Sequence, residues 1–166
     1  DEAVEHIRCR YRSLVSMCDR NLGRILDLMD EHDLWRDTML IVGTDHGFLL
    51  GEHGWWAKNQ MPYYNEVANN PLFIWDPRSG VKGERRQALV QMIDWAPTLY
   101  DFFQQPVPPD VQGQPLAKTV SHDEPVRSAA MFGVFSGHVN VTDGRYVYMR
   151  AALPGREDDI VNYTLM

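Results

Sequence analysis

Asp45, His46, His53 and Lys58 are the residues of this chain whose types and spacing could do chemistry. The first two are adjacent in Gly43-Thr-Asp-His-Gly47, and the other two follow closely. A carboxylate is a hard oxygen donor and an imidazole a borderline nitrogen donor, so the pair suits a divalent metal. Lys58 offers a compact point charge for an anion. His53, in Gly51-Glu-His-Gly54, lies on the same loop, as a contact to whatever the site binds or as a residue that packs the loop. Together the four read as half of a site for a metal-bound oxyanion.

Such a set needs elements to hold it. Thr38 to Val42 is a short apolar, β-branched run, the composition of a buried strand. Gly43 ends it, so Asp45 and His46 leave the carboxyl end of a strand, where open α/β sheets place their ligands. Gly47, Gly51 and Gly54 predict a loop that doubles back and brings His53 and Lys58 within reach. Upstream, Val4, Ile7, Tyr11, Leu14, Val15, Cys18, Leu22, Ile25, Leu26 and Met29 recur at three- and four-residue steps, the pattern of a long amphipathic helix with Cys18 in the core. Glu31 to Asp37 reads as a polar turn. Downstream, Pro71 to Trp75 predicts a second buried strand, closed by Asp76-Pro77, and Arg78 to Arg86 a charged surface loop. Ala88 to Ile93 predicts a strand leading into a helix capped by Asp94, with Leu99, Phe102 and Phe103 as its buried face. Four prolines and a glycine between Pro106 and Pro115 mark a linker or subdomain boundary. Beyond it, Ala129 to Phe135 predicts a strand, and alternating runs around Asp143-Gly144 predict a hairpin.

Composition narrows the class. The 166 residues suffice for one domain with a sizeable core, and no apolar run reaches membrane-spanning length. The net charge of −7, with scattered Lys and Arg, argues against nucleic acid as a partner. An acidic protein that handles an anion must concentrate positive charge locally, in a metal and one or two side chains. Cys9 and Cys18 are the only cysteines. Nine residues apart on one helix they stand roughly 13 Å from each other, too far for a disulfide. Asn140-Val-Thr and Asn162-Tyr-Thr match the glycosylation acceptor pattern, which at three residues arises readily by chance.

Asp-His-Gly, then Gly-Glu-His-Gly, then Lys58, then Tyr63-Tyr64 before a Pro-Leu strand, resembles the sulfatases of the alkaline phosphatase superfamily, as does Asp94-Trp-Ala-Pro-Thr-Leu. The order of these pieces, rather than any one of them, carries the likeness. It implies an alkaline-phosphatase-like α/β fold over residues 1–105, with residues 106–166 as a linker and part of a small antiparallel subdomain. It also implies hydrolysis of sulfate esters in a periplasmic, extracellular or lysosomal setting. Asp45 and His46 match metal ligands, for Ca2+ in that family, although an imidazole leaves Mg2+ or Mn2+ open. Lys58 matches the lysine that binds the sulfate group.

The chain departs from the family at three places. Cys9 begins Cys-Arg-Tyr-Arg-Ser, so neither cysteine fits the Cys- or Ser-x-Pro-x-Arg segment whose first residue becomes formylglycine. The acidic ligands that the family carries near its N-terminus have no counterpart, and Asn69-Asn70 stands where relatives often have Arg. Both ends read as cut. The expectation is a C-terminal portion that needs the N-terminal part of the same protein and is inactive alone. A phosphonate or phosphate diester hydrolase of the same superfamily, or a non-catalytic binding module, are the alternative readings.

Overall fold

The computed structural model describes residues 2–58, 62–133, 138–151 and 155. Helix α1 (Glu2–Glu31) follows the apolar periodicity of its sequence over its full length. It is anchored at both halves: Met29 is buried in the last turn, while in the first half Tyr11 stacks on Phe48 at 5.9 Å and Arg8 Nε donates to the carbonyl of Leu50 at 3.0 Å. Much of its remaining apolar surface is open, with Ile7, Leu14, Val15, Ile25 and Leu28 exposed, while Val4, Leu22 and Leu26 are half-buried. Cys18, expected in the core, is exposed as well, as is Cys9. Periodicity places a stripe on one face of a helix. It does not supply the neighbour that covers it.

The polar turn after α1 contains a short 3-10 turn, Leu34–Arg36, and leads into β1 (Leu40–Gly43). Strand β1 pairs antiparallel with β4 (Leu72–Trp75), Gly43 opposite Leu72 and Leu40 opposite Trp75. The strands are half-buried rather than buried, and Phe73 on β4 is 66% exposed. Between them lie β2 (Leu49–Leu50) and β3 (Trp56–Ala57), a two-residue antiparallel ladder, and the one-turn helix α2 (Asn65–Ala68). Leu49 and Val67 form the buried nucleus here, with Tyr63 and Tyr64 against it.

Helix α3 (Trp95–Phe102) starts where the sequence predicts, but its surroundings differ. Ala88 to Ile93 is not a strand; it is extended coil passing into a 3-10 turn at Met92–Asp94. The buried side of α3 is Pro97 and Thr98, while Leu99 and Phe103 are exposed. The helix is anchored through polar atoms instead: Thr98 Oγ1 donates to the Asp94 carbonyl and accepts the Leu116 N–H. Trp95 lies over the end of β1, so a Cβ on Gly43 would come within 2.8 Å of its indole. Helix α4 (Ala117–His122) leads to the three-stranded sheet β5 (Ala130–Gly133), β6 (Val139–Thr142) and β7 (Val147–Arg150). Strands β6 and β7 form the hairpin predicted around Asp143-Gly144. Asn140 is fully buried in this sheet and its Nδ2 donates to the Phe132 carbonyl, so that acceptor motif is closed to glycosylation. Asn162 and the end of the strand predicted to Phe135 lie outside the described residues.

Asp94 does not cap α3 through its side chain. Its buried carboxylate instead accepts from both terminal nitrogens of Arg127 and from the N–H groups of Gln91 (2.7 Å) and Gln114 (2.9 Å). Burial pushes its pKa up, but the Arg127 hydrogen bonds, those two N–H donors and the guanidinium charge together hold it below the usual carboxylate value. A depressed folded-state pKa stabilises fully above the unfolded value of about 3.8 and is lost as pH falls through the lower folded value. Asp94→Asn strands the Arg127 charge and should lower stability by roughly 3 kcal/mol at pH 7. The gap to wild type should close as pH drops below about 4. Urea unfolding of both proteins across that range checks it, and a gap that does not change with pH would refute the pairing as its cause.

Candidate functional site

The site begins where β1 ends. Past Gly43 the chain turns on local hydrogen bonds: the Asp45 carboxylate accepts the His46 N–H at 3.0 Å, and Thr44 Oγ1 donates to the His46 carbonyl at 3.2 Å. Gly47 then passes against α2, its N–H donating to the Val67 carbonyl at 2.9 Å. A Cβ at Gly47 would lie 1.7 Å from the Glu66 carbonyl oxygen, so no side chain fits this crossing. The Asp-His-Gly triplet is thus a turn whose glycine is fixed by packing and whose first two side chains are left free to project.

Those side chains converge. His46 Nδ1 lies 2.9 Å from the Gly47 carbonyl, which can only accept, so Nδ1 carries a proton and Nε2 is the ring nitrogen turned toward the site. Asp45 Oδ2 stands 3.1 Å from Nε2, and Lys58 Nζ contacts the same nitrogen. Asp45 is largely open to solvent. Desolvation pushes its pKa up, yet the His46 N–H, the imidazole, its own N–H and Lys58 outweigh that and hold it below the usual value. Asp45 is therefore an anion at neutral pH.

Lys58 reaches this point through the β2–β3 ladder, which returns the chain over Gly51 at φ 103°. His53 sits at φ 57°, a backbone region that non-glycine residues rarely adopt. Its ring stacks on Tyr64 at 3.8 Å and its Nε2 meets Glu66 Oε1 at 3.1 Å. Glu66's own N–H lowers its pKa most; burial opposes this, and His53 lowers it further. The structure thus brings Asp45, His46 and Lys58 together and ties His53 to the base of the same loop. Glu52, a loop residue in the sequence reading, takes the Leu50 N–H.

Asn70, which the sequence marks only as a departure from the family, belongs to this site. Its Nδ2 donates to the Asp45 carbonyl at 3.2 Å. The available signal was the paired Asn69-Asn70 immediately before the Pro-Leu strand.

A carboxylate oxygen and an imidazole nitrogen 3.1 Å apart match neighbouring ligands about 2.4 Å from one ion, at an angle of roughly 80°. The pair therefore fits as part of a cation's donor set. Among the described residues no group of three or more His, Cys, Asp or Glu forms a metal site. Two such donors fall short of the coordination a hard cation takes.

Comparison with known proteins bears on what these residues serve. Residues 1–105 match the family model described as Sulfatase. The chain is 34% identical over 113 residues to an N-acetylglucosamine-6-O-sulfatase of Bacteroides thetaiotaomicron, covering 68% of this chain and 20% of that protein. It is 28% identical over 149 residues to an arylsulfatase of Clostridium perfringens, covering 85% and 31%. A protein solved in complex with its substrate D-glucosamine-2-N,6-O-disulfate superposes with a TM-score of 0.66 at 30% identity, covering 76% of this chain and 28% of that one. A phosphonate monoester hydrolase from Silicibacter pomeroyi superposes with a TM-score of 0.70 at 24% identity, covering 80% and 30%, which shows a common fold. The chain spans between 20% and 31% of the length of these two curated relatives.

Proposed function

We propose that this chain, which belongs to the sulfatase family of the alkaline phosphatase superfamily, supplies the metal-ligand and sulfate-binding half of a sulfuric ester hydrolase. The observation that carries the reading is the meeting of Asp45, His46 and Lys58 at the carboxyl end of β1. Asp45 and His46 Nε2 are the ligands of a divalent cation, Ca2+ first, with Mg2+ or Mn2+ also compatible with an imidazole donor. When bound, the cation gathers negative charge from the ester's sulfate oxygens. Lys58 contacts the sulfate group and offsets charge that builds on it, and only what it adds beyond its hold on the bound ester raises turnover. His53, pinned by Tyr64 and Glu66, holds the base of the loop and serves as a second substrate contact.

Sulfatases generally use a metal ion and a formylglycine. Residues 1–166 contain no Cys- or Ser-x-Pro-x-Arg segment, and both cysteines lie exposed on α1. The nucleophile and the remaining acidic ligands are assigned to the N-terminal part of the full-length protein. No helix among the described residues is long and apolar enough to cross a membrane.

The test is a comparison of substrates and of chain lengths. Full-length protein should hydrolyse an aryl sulfate with Ca2+ present at least about 10²-fold faster than an aryl phosphonate monoester, a margin of roughly 3 kcal/mol in barrier. Residues 1–166 alone should turn over neither, since a nucleophile and positioning partners are lacking. A preference for the phosphonate would move the assignment to phosphonate ester hydrolysis. Turnover by residues 1–166 that requires Asp45 would show that the chain holds a complete site.

A further inference from the structure

Asn70 stands opposite Asp45. The antiparallel register of β1 on β4 places Gly43 against Leu72, and continuing it two residues along each chain brings Asp45 across from Asn70. The Nδ2 bond to the Asp45 carbonyl fits that placement. The other amide atom, Oδ1, is buried and has no hydrogen-bond partner among the described residues. Reversing the amide would set two acceptors, Oδ1 and the Asp45 carbonyl, against each other, so the bond to Asp45 fixes its orientation. Buried polar atoms are almost always satisfied, and a bare one beside a charged site asks what satisfies it. A carbonyl oxygen is no partner for an anion. It is a hard, neutral donor of the kind that divalent cations collect together with carboxylates.

We propose that Asn70 is a third donor to the cation site, its Oδ1 joining Asp45 and His46 Nε2 while its Nδ2 holds the turn that carries them. The inference rests on the reading that Asp45 and His46 bind a cation. It gives this half of the protein a carboxylate, an imidazole and an amide oxygen where the chain leaves β1 and enters β4. It also gives Asn70 a use at the strand end where an apolar residue would serve packing as well.

The experiment is a Ca2+ titration by calorimetry of chelator-stripped full-length protein, with thermal melting recorded before any metal is added. Asn70→Val removes the oxygen with little change of size and should weaken Ca2+ binding about tenfold or more, at a metal-free melting temperature close to that of Asn70→Asp, which loses the same Nδ2 bond. Asn70→Asp keeps an oxygen and should bind as tightly as wild type or tighter. Wild-type affinity in Asn70→Val overturns the proposal. So does equal weakening in both variants, because the carboxamide would then act only through its hydrogen bond. If Asn70→Val fails to fold, Asn70→Asp decides alone. Asp45→Ala serves as the reference: if it keeps wild-type affinity, the cation reading itself fails, whereas loss in Asp45→Ala beside normal binding in Asn70→Val refutes the role of Asn70 alone.

Discussion

Asp45→Ala in the full-length protein is expected to lower kcat/KM on an aryl sulfate by on the order of 10³ and to leave the purified protein with sub-stoichiometric metal. Two separate consequences combine in that figure. The carboxylate is the anionic member of the pair, and without it the dication is left to neutral ligands. The same carboxylate also accepts the His46 N–H at 3.0 Å, so its loss loosens the turn that aims the imidazole. Asp45→Asn separates the two: the amide oxygen can keep the backbone bond but brings no charge. Its metal content should fall between wild type and Asp45→Ala. Metal content and kcat/KM are read together, by elemental analysis and initial rates. Full metal loading in Asp45→Ala would remove Asp45 from the ligand set, whatever happened to the rate.

How far the sequence foretold this arrangement depends on what each element needs from its neighbours. The β1 strand, the turn after it and the loop returning to Lys58 were legible because each is local: a β-branched run, a glycine where only a bare Cα fits, and a ladder closed at Gly51. The Asp143-Gly144 hairpin was legible for the same reason. Ala88 to Ile93 misled because its apolar content suits a strand, yet no neighbouring strand takes its backbone, and Asp94 and Asp123 bind its N–H groups at either end. Cys18, Leu99 and Phe103 misled because period marks a face but not what lies over it. Asp94 looked like a helix cap and is instead the buried partner of Arg127, which lies far along the chain and has no local signal. Asn70 reads in the sequence only as a departure from the family, for a similar reason. Its proximity to Asp45 follows only once the antiparallel register of β1 and β4 is known.

Lys58→Ala is expected to lower kcat/KM by roughly 10² to 10³, with most of the loss in kcat. The ammonium meets His46 Nε2, the atom that also faces Asp45 Oδ2, so Lys58 shares the place where metal ligands and sulfate would come together. A point charge there favours an ester that is gaining negative charge over one that is merely bound, and that difference is what turnover measures. Lys58→Arg should recover only part of the loss. A guanidinium spreads its charge over a plane and needs room for a fork of donors, whereas the present contact is a single nitrogen against a single ring nitrogen. The metal content of both variants should remain that of wild type, since neither change removes a ligand. A drop in metal content in Lys58→Ala would instead mean that the lysine holds the imidazole in place. An unchanged kcat/KM would reduce Lys58 to a residue of the loop, and the reading of this end of β1 as a sulfate site would lose its cation for the ester.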